Sequence, residues 1–236
     1  MTLLKKVLVI PDLHEKDIWK RIIDEAGSVD KIIFLGDYVD SWTHDDKACL
    51  SNLKEILAYK ILNKDKVELL LGNHDASYLY FPRYSCSGFQ ESMLLPLKLL
   101  LEENINLFKI AYQEGNYLFS HAGVSSKWLE RHMPSIKAYG LDTLPIAEML
   151  NKVNETSLQP ALYSMGEIRG GMRYDVGGPI WADKSETQND FIPNMHQIVG
   201  HSKVPKIVKV SNPNTNASIT YTDCLDKLVD YLVLEI

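Results

Sequence analysis

The sequence predicts an α/β (α+β) fold, and three observations carry that expectation. Short runs rich in Val, Ile and Leu end at Pro or Gly, as strands do. The segments between the first three runs place apolar residues at helical spacing. A second set of strand-like runs begins only after residue 107, beyond a long helical stretch. Strands joined by helices imply parallel pairing first, followed by a separate strand system.

In chain order, residues 5–10, 31–35 and 67–71 are the opening strands. Residues 16–26 and 45–62 are the helices that join them, with Leu50, Leu53, Leu57 and Ile61 on one face of the second. Residues 75–104 read as mainly helical. Residues 108–112 and 117–120 then flank Glu114-Gly115-Asn116, a hairpin signature. Two or three short helices follow over 127–162, punctuated by Pro134, Pro145 and Pro160. The glycine-rich stretch 163–183, with Pro179, reads as an ordered surface loop. Strands return at 196–199, 207–210, 217–221 and 229–234. With no internal repeat, low-complexity tract or linker, one domain over 1–236 is expected.

Bulk properties exclude several classes. At 236 residues, 45% hydrophobic and 24% charged, the chain supports a sizeable core and is neither disordered nor fibrous in composition. A net charge of -6 argues against non-specific nucleic-acid binding, which rests on neutralised phosphates. Cys49, Cys86 and Cys224 are an odd number without C-x-x-C spacing, so neither a disulfide framework nor a zinc ribbon is indicated. A reducing, cytoplasmic setting is expected. The apolar run 7–10 is too short for a signal peptide, and 93–101 is interrupted by Pro96 and Lys98. Neither approaches the roughly 20 apolar residues of a bilayer span, so no membrane association is expected.

Five segments follow expected strands and carry metal-binding side chains: PDLHE (11–15), GDYVD (36–40), GNHD (72–75), SHAG (120–123) and GHS (200–202). Loops at the carboxyl ends of strands are where α/β sheets assemble ligand sites. Taken singly, each segment also has a plain structural reading. Asp12 and His14 suit a turn and a helix cap, Asp37 and Asp40 a turn and an N-cap, Asn73 and His74 a turn after Gly72, and His121 and His201 ordinary core histidines. Together they supply two carboxylates, one amide oxygen and three imidazoles at strand ends. Mixed oxygen and nitrogen ligands suit manganese, iron or zinc better than calcium.

The order and spacing of these segments resemble the calcineurin-like metallophosphoesterase superfamily, in particular its phosphoprotein phosphatase and diadenosine tetraphosphatase branch. GDYVD, GNHD, YLFSHAG and GGPIWAD carry the likeness. The resemblance implies a four-layer α-β-β-α sandwich around central mixed β-sheets and two divalent transition-metal ions, manganese first, with iron or zinc as alternatives. Asp12 and His14 would hold one ion, Asp37 would bridge, and Asn73, His121 and His201 would hold the other. The implied reaction is attack of a metal-activated hydroxide on a phosphomonoester, with His74 as proton donor held by Asp40. The expected partner is therefore a phosphorylated protein, nucleotide or small molecule.

Ser41 and Leu71 stand where phosphoprotein phosphatases carry phosphate-clamping arginines, and PDLHE replaces the branch's G-D-x-H-G. Arg169 and Arg173 are the expected replacements, with Arg83 a weaker one and the alternative that all are surface charges. His44 is either a substrate contact or part of a helix start capped by Thr43. His132 and His196 receive no role. A phosphodiesterase or dinucleoside polyphosphate hydrolase is the alternative function, because the same ligands serve it. A non-catalytic scaffold is the third reading, and the presence of all six ligands with His74 and Asp40 argues against it.

Overall fold

Aliphatic residues make Lys6–Ile10 (β1) a strand buried on both faces, with Val7, Leu8, Val9 and Ile10 wholly enclosed. Such near-continuous apolar runs are what a covered parallel sheet requires. In this computed structural model, which describes residues 4–40 and 46–236, β1 pairs in parallel with Lys31–Phe34 (β2). β2 pairs with Val67–Leu70 (β3), and β3 with Phe108–Lys109 (β4), again in parallel. Leu232–Glu235 (β10) closes the other edge antiparallel to β1. Ser41, Thr43, His44 and the first residue of the helix expected over 45–62 lie outside the described residues.

The helices Trp19–Ala26 (α1) and Asp46–Leu62 (α2) join the first three strands as the periodicity predicts. Asn73–Leu79 (α3) and Leu94–Glu103 (α4) replace the single helical stretch expected over 75–104. Residues 80–90 hold no helix or strand, because Pro82 and Gly88 interrupt the pattern and Tyr78, Phe81 and Phe89 stack there instead. These elements form one compact unit that runs to Lys109 and takes in Tyr231–Ile236.

The second unit, Ile110–Asp230, holds the other sheet. Ala111–Glu114 (β5) and Tyr117–Ser120 (β6) form the expected hairpin, turning at Gly115 with φ +57°. His196–Val199 (β7) is parallel to β6, Ala217–Tyr221 (β9) is parallel to β7, and Val208–Asn212 (β8) is antiparallel to β9. The helices are Ser126–Ala138 (α5), Ile146–Val153 (α6), Gln159–Leu162 (α7) and Lys184–Thr187 (α8). Ser125 caps α5 by accepting from Trp128 N at 3.0 Å, and Pro134 lies within that helix rather than ending it.

One expected strand is divided. Residues 108–112 read as a continuous run, yet β4 belongs to the first sheet and β5 to the second. The break has a local cause: Asn151 Oδ1, on α6, accepts from both Ile110 N (2.8 Å) and Ala111 N (3.2 Å). Two mixed five-stranded sheets with helices bear out the α/β (α+β) expectation. Among the described residues no helix is long and apolar enough to cross a membrane.

Candidate active site

Three strand-end loops of the first unit are sewn together by hydrogen bonds. After β1, the N–H groups of Leu13 and His14 donate to Asp37 O at 3.1 and 2.9 Å, and Glu15 N donates to Tyr38 O at 3.0 Å. After β3, the backbone passes so close to the loop after β2 that a Cβ on Gly72 would lie 2.0 Å from Asp37 Oδ1. Gly36, at φ +106°, meets the same constraint from the other side, since its Cβ would lie 2.5 Å from Gly72 N. The buried carboxylate of Asp75 accepts from Asp37 N (2.9 Å), Tyr38 N (3.0 Å) and Gly72 N (2.9 Å). Asp37 Oδ1 in turn accepts from His74 N at 3.0 Å. His14, Asp37 and Asp40 are held in left-handed backbone, at φ 43°, 52° and 66°. That conformation is costly for side-chain-bearing residues and clusters at functional sites.

The bracing aims particular atoms. His14 Nδ1 donates to Val39 O at 3.1 Å, which turns Nε2 toward Asp37 Oδ2, 3.9 Å away. Fixing one imidazole nitrogen on a carbonyl is how proteins present the other to a metal. Burial holds the His14 pKa below its ordinary value against the pull of Asp37, so the ring keeps the neutral, ligating form. His74 is the opposite case. Burial also disfavours its charge, but Asp37 and a 2.8 Å hydrogen bond from Nδ1 to Asp40 Oδ2 push its pKa up to about 11. Tyr78 donates its hydroxyl to Asp40 Oδ1 and so orients that carboxylate.

In the second unit, strand register does the placing. The parallel pairing of β6 with β7 continues past their ends, where Gly200 N donates to His121 O at 2.8 Å. His121 Nε2 thereby lies 3.2 Å from His201 Nδ1, with the rings edge to face. That separation is close to the roughly 3.3 Å edge between two nitrogens on one tetrahedral ion. Trp181 packs edge-on against His201 at 5.6 Å. Arg169 is tied beside it: Nε pairs with Asp183 Oδ2 at 2.8 Å and Nη2 donates to Ser202 Oγ at 3.1 Å.

Each unit thus gathers part of the expected set. His14, Asp37 and His74 offer atoms within 4.8 Å of one another, while Asp12 and Asn73 are buried at 1% and 2% exposure. His121 and His201 meet in the second unit. Arg173 and Arg83 are exposed, Arg173 lying over the Tyr174 ring at 5.3 Å. Leu71 is a core residue, His132 packs on Trp128, and His196 bonds Ser218. Residue patterns missed Asp75, Tyr78, Cys86, Asp183 and Ser202. Asp75 has a usable signal, as the acidic residue three positions into a helix that starts after Gly72, and so does Asp183, which opens a D-x-x-E capping box with Glu186.

A family model for the calcineurin-like phosphoesterases matches residues 5–204. The chain belongs to that family. As a calcineurin-like phosphoesterase it is a metal-dependent hydrolase acting on phosphoric esters. No curated protein matches the sequence. Among solved structures, a cold-active protein tyrosine phosphatase is 19% identical, with a TM-score of 0.59 over 98% of this chain and 74% of that one. The cold-active protein-tyrosine phosphatase of a psychrophilic Shewanella species is 18% identical, with a TM-score of 0.56 over 98% and 76%. At such identity the likeness is one of fold, and it matches the two mixed sheets with helices of this calcineurin-like phosphoesterase.

Proposed function

We propose that this calcineurin-like phosphoesterase hydrolyses a phosphomonoester on a protein, nucleotide or small molecule, using two divalent transition-metal ions. Asp12, His14, Asp37, Asn73, His121 and His201 would hold them, with manganese the first choice and iron or zinc the alternatives. The observation that carries this reading is the buried Asp40–His74 pair, hydrogen-bonded at 2.8 Å, with His74 Nε2 4.0 Å from Asp37 Oδ2. A held acid next to a metal-type carboxylate suits ester cleavage and has no use in a scaffold.

When bound, the ions supply Lewis-acid activation of the phosphoryl group and of the water that attacks it. His74 gives the Nε2 proton to the leaving alkoxide. Nε2 is the transferring atom because Nδ1 is engaged by Asp40. Asp40 keeps the ring protonated, and cations held at Asp37 would bring the raised pKa of His74 back toward neutrality, where an acid is most useful. Arg169 has Nε and Nη2 engaged, which directs Nη1 to a phosphoryl oxygen, with Arg173 as a second cation from the same segment. These two stand in for the clamping arginines absent at Ser41 and Leu71. We place the whole of 1–236 in one catalytic domain working in the cytoplasm, without membrane or non-specific nucleic-acid partners.

Leu71, buried where a clamp would stand, favours a second reading as a phosphodiesterase or dinucleoside polyphosphate hydrolase. Manganese-loaded protein assayed on an aryl phosphate and a bis-aryl phosphate separates the two. The monoester is expected to turn over faster, and predominant diester cleavage would reverse the order of the readings.

A further inference from the structure

Cys86, in the segment between α3 and α4, brings its Sγ within 3.3 Å of His74 Nδ1 and 3.7 Å of Asp40 Oδ2. The latter two atoms are 2.8 Å apart, so thiol, imidazole and carboxylate form a closed triangle of ligand atoms. It uses Nδ1, whereas Nε2 is the atom near Asp37, so the triangle is separate from the ligands proposed above. A tetrahedral ion with bonds of about 2.3 Å to sulfur and about 2.0–2.1 Å to nitrogen and oxygen sets ligand edges of about 3.6 Å from sulfur and about 3.3 Å between nitrogen and oxygen. The sulfur edges already fit to within a few tenths of an ångström. Only the Asp40–His74 edge must open, by about half an ångström.

The surroundings suit an ion as well. Tyr78 holds Asp40 Oδ1, leaving Oδ2 turned to Nδ1 and Sγ. His74 and Asp40 are buried, while Cys86 is partly exposed and lies in backbone without helix or strand, which gives a cation an entrance and the sulfur freedom to adjust. We propose that Cys86, His74 and Asp40 form an inhibitory site for a thiophilic divalent cation, with Zn²⁺ the fitting physiological candidate. Binding forms bonds from the metal to Sγ, Nδ1 and Oδ2 and releases the thiol proton and the Nδ1 proton to solvent, with no change of oxidation state. His74 is then a neutral metal-bound imidazole instead of an imidazolium held by Asp40, and gives up its Nε2 proton poorly. The inhibitory effect rests on His74 being the proton donor, whereas the binding does not.

Cobalt is the probe, because a thiolate bound to Co²⁺ gives a near-ultraviolet charge-transfer band and none of the six proposed catalytic ligands is a thiol. Manganese-loaded protein titrated with Co²⁺ is expected to develop that band, and Cys86→Ala to lack it. No band in the unmutated protein, or an equal band in Cys86→Ala, overturns the site. Zn²⁺ is also expected to slow maleimide labelling of Cys86 in unmutated protein at least tenfold, and unchanged labelling counts against the site without any variant. In turnover, each protein compared with its own zinc-free rate, Cys86→Ala should need at least tenfold more Zn²⁺ for half inhibition. Equal sensitivity removes the inhibitory role. A protein inert on every phosphoester would sink the proposed function and leave the cobalt band intact.

Discussion

The site residues of the first unit are braced by side-chain hydrogen bonds added to backbone ones, whereas those of the second are braced by strand register. In the first, one buried carboxylate, Asp75, holds three N–H groups from two loops, and a glycine contact fixes how closely those loops approach. In the second, the β6–β7 ladder carries His121 and His201 to the same level, and Arg169 is tied by side chains, to Asp183 and Ser202. The two regions should therefore fail differently. Side-chain bracing concentrates risk in single residues, while a ladder distributes it over many backbone bonds.

The largest effect is expected at His74, the proposed proton donor. His74→Asn should lower kcat by about 10²–10⁴-fold with metal content retained, and most for substrates with poor leaving groups. An unchanged rate on an alkyl phosphate would remove His74 from that role. Asp75→Ala leaves three buried N–H groups without their acceptor and should cost about 3–5 kcal/mol in urea unfolding, together with activity. A cost under about 1 kcal/mol would show that the first unit is no more dependent on side chains than the second. Arg169→Ala, by contrast, should leave stability nearly intact and lower kcat/KM by about 10–100-fold, mainly through KM. A stability loss equal to that of Asp75→Ala would erase the comparison.

The smallest effect concerns the other end of β3. Glu68 is buried among Lys109, Lys31 and Lys60, at 3.0, 3.1 and 3.5 Å. Burial raises its pKa, but the lysines, Lys109 foremost, outweigh that and hold it below the ordinary 4.5. A depressed carboxylate contributes stability above its unfolded pKa and loses it as pH falls through the folded one. The stability advantage over Glu68→Gln should therefore be full at neutral pH and shrink below about pH 4.5, measured by urea midpoints. A pH-independent difference would mean the lysines do not tune Glu68.

Much of this was legible in residue order. β7 and β9 match their expected ranges because apolar runs bounded by turn residues admit little else. The sheet change at Ile110 was not legible, since residues 108–112 are uniformly strand-like and a side chain 40 residues away decides the break. Asp40 and His74 were named in sequence and lie paired in space, because GDYVD and GNHD end adjacent parallel strands. The place of Cys86 beside them was not legible, as nothing local ties a cysteine in an irregular segment to a histidine twelve residues earlier.

Metal content is the decisive measurement for the proposal that six side chains hold a pair of ions. Protein equilibrated with Mn²⁺ and freed of excess should retain about two ions per chain, and Asp37→Asn, which removes the proposed bridge, should lose at least one along with turnover. Unmutated protein that retains no metal, or Asp37→Asn that keeps both ions and full activity, would contradict it.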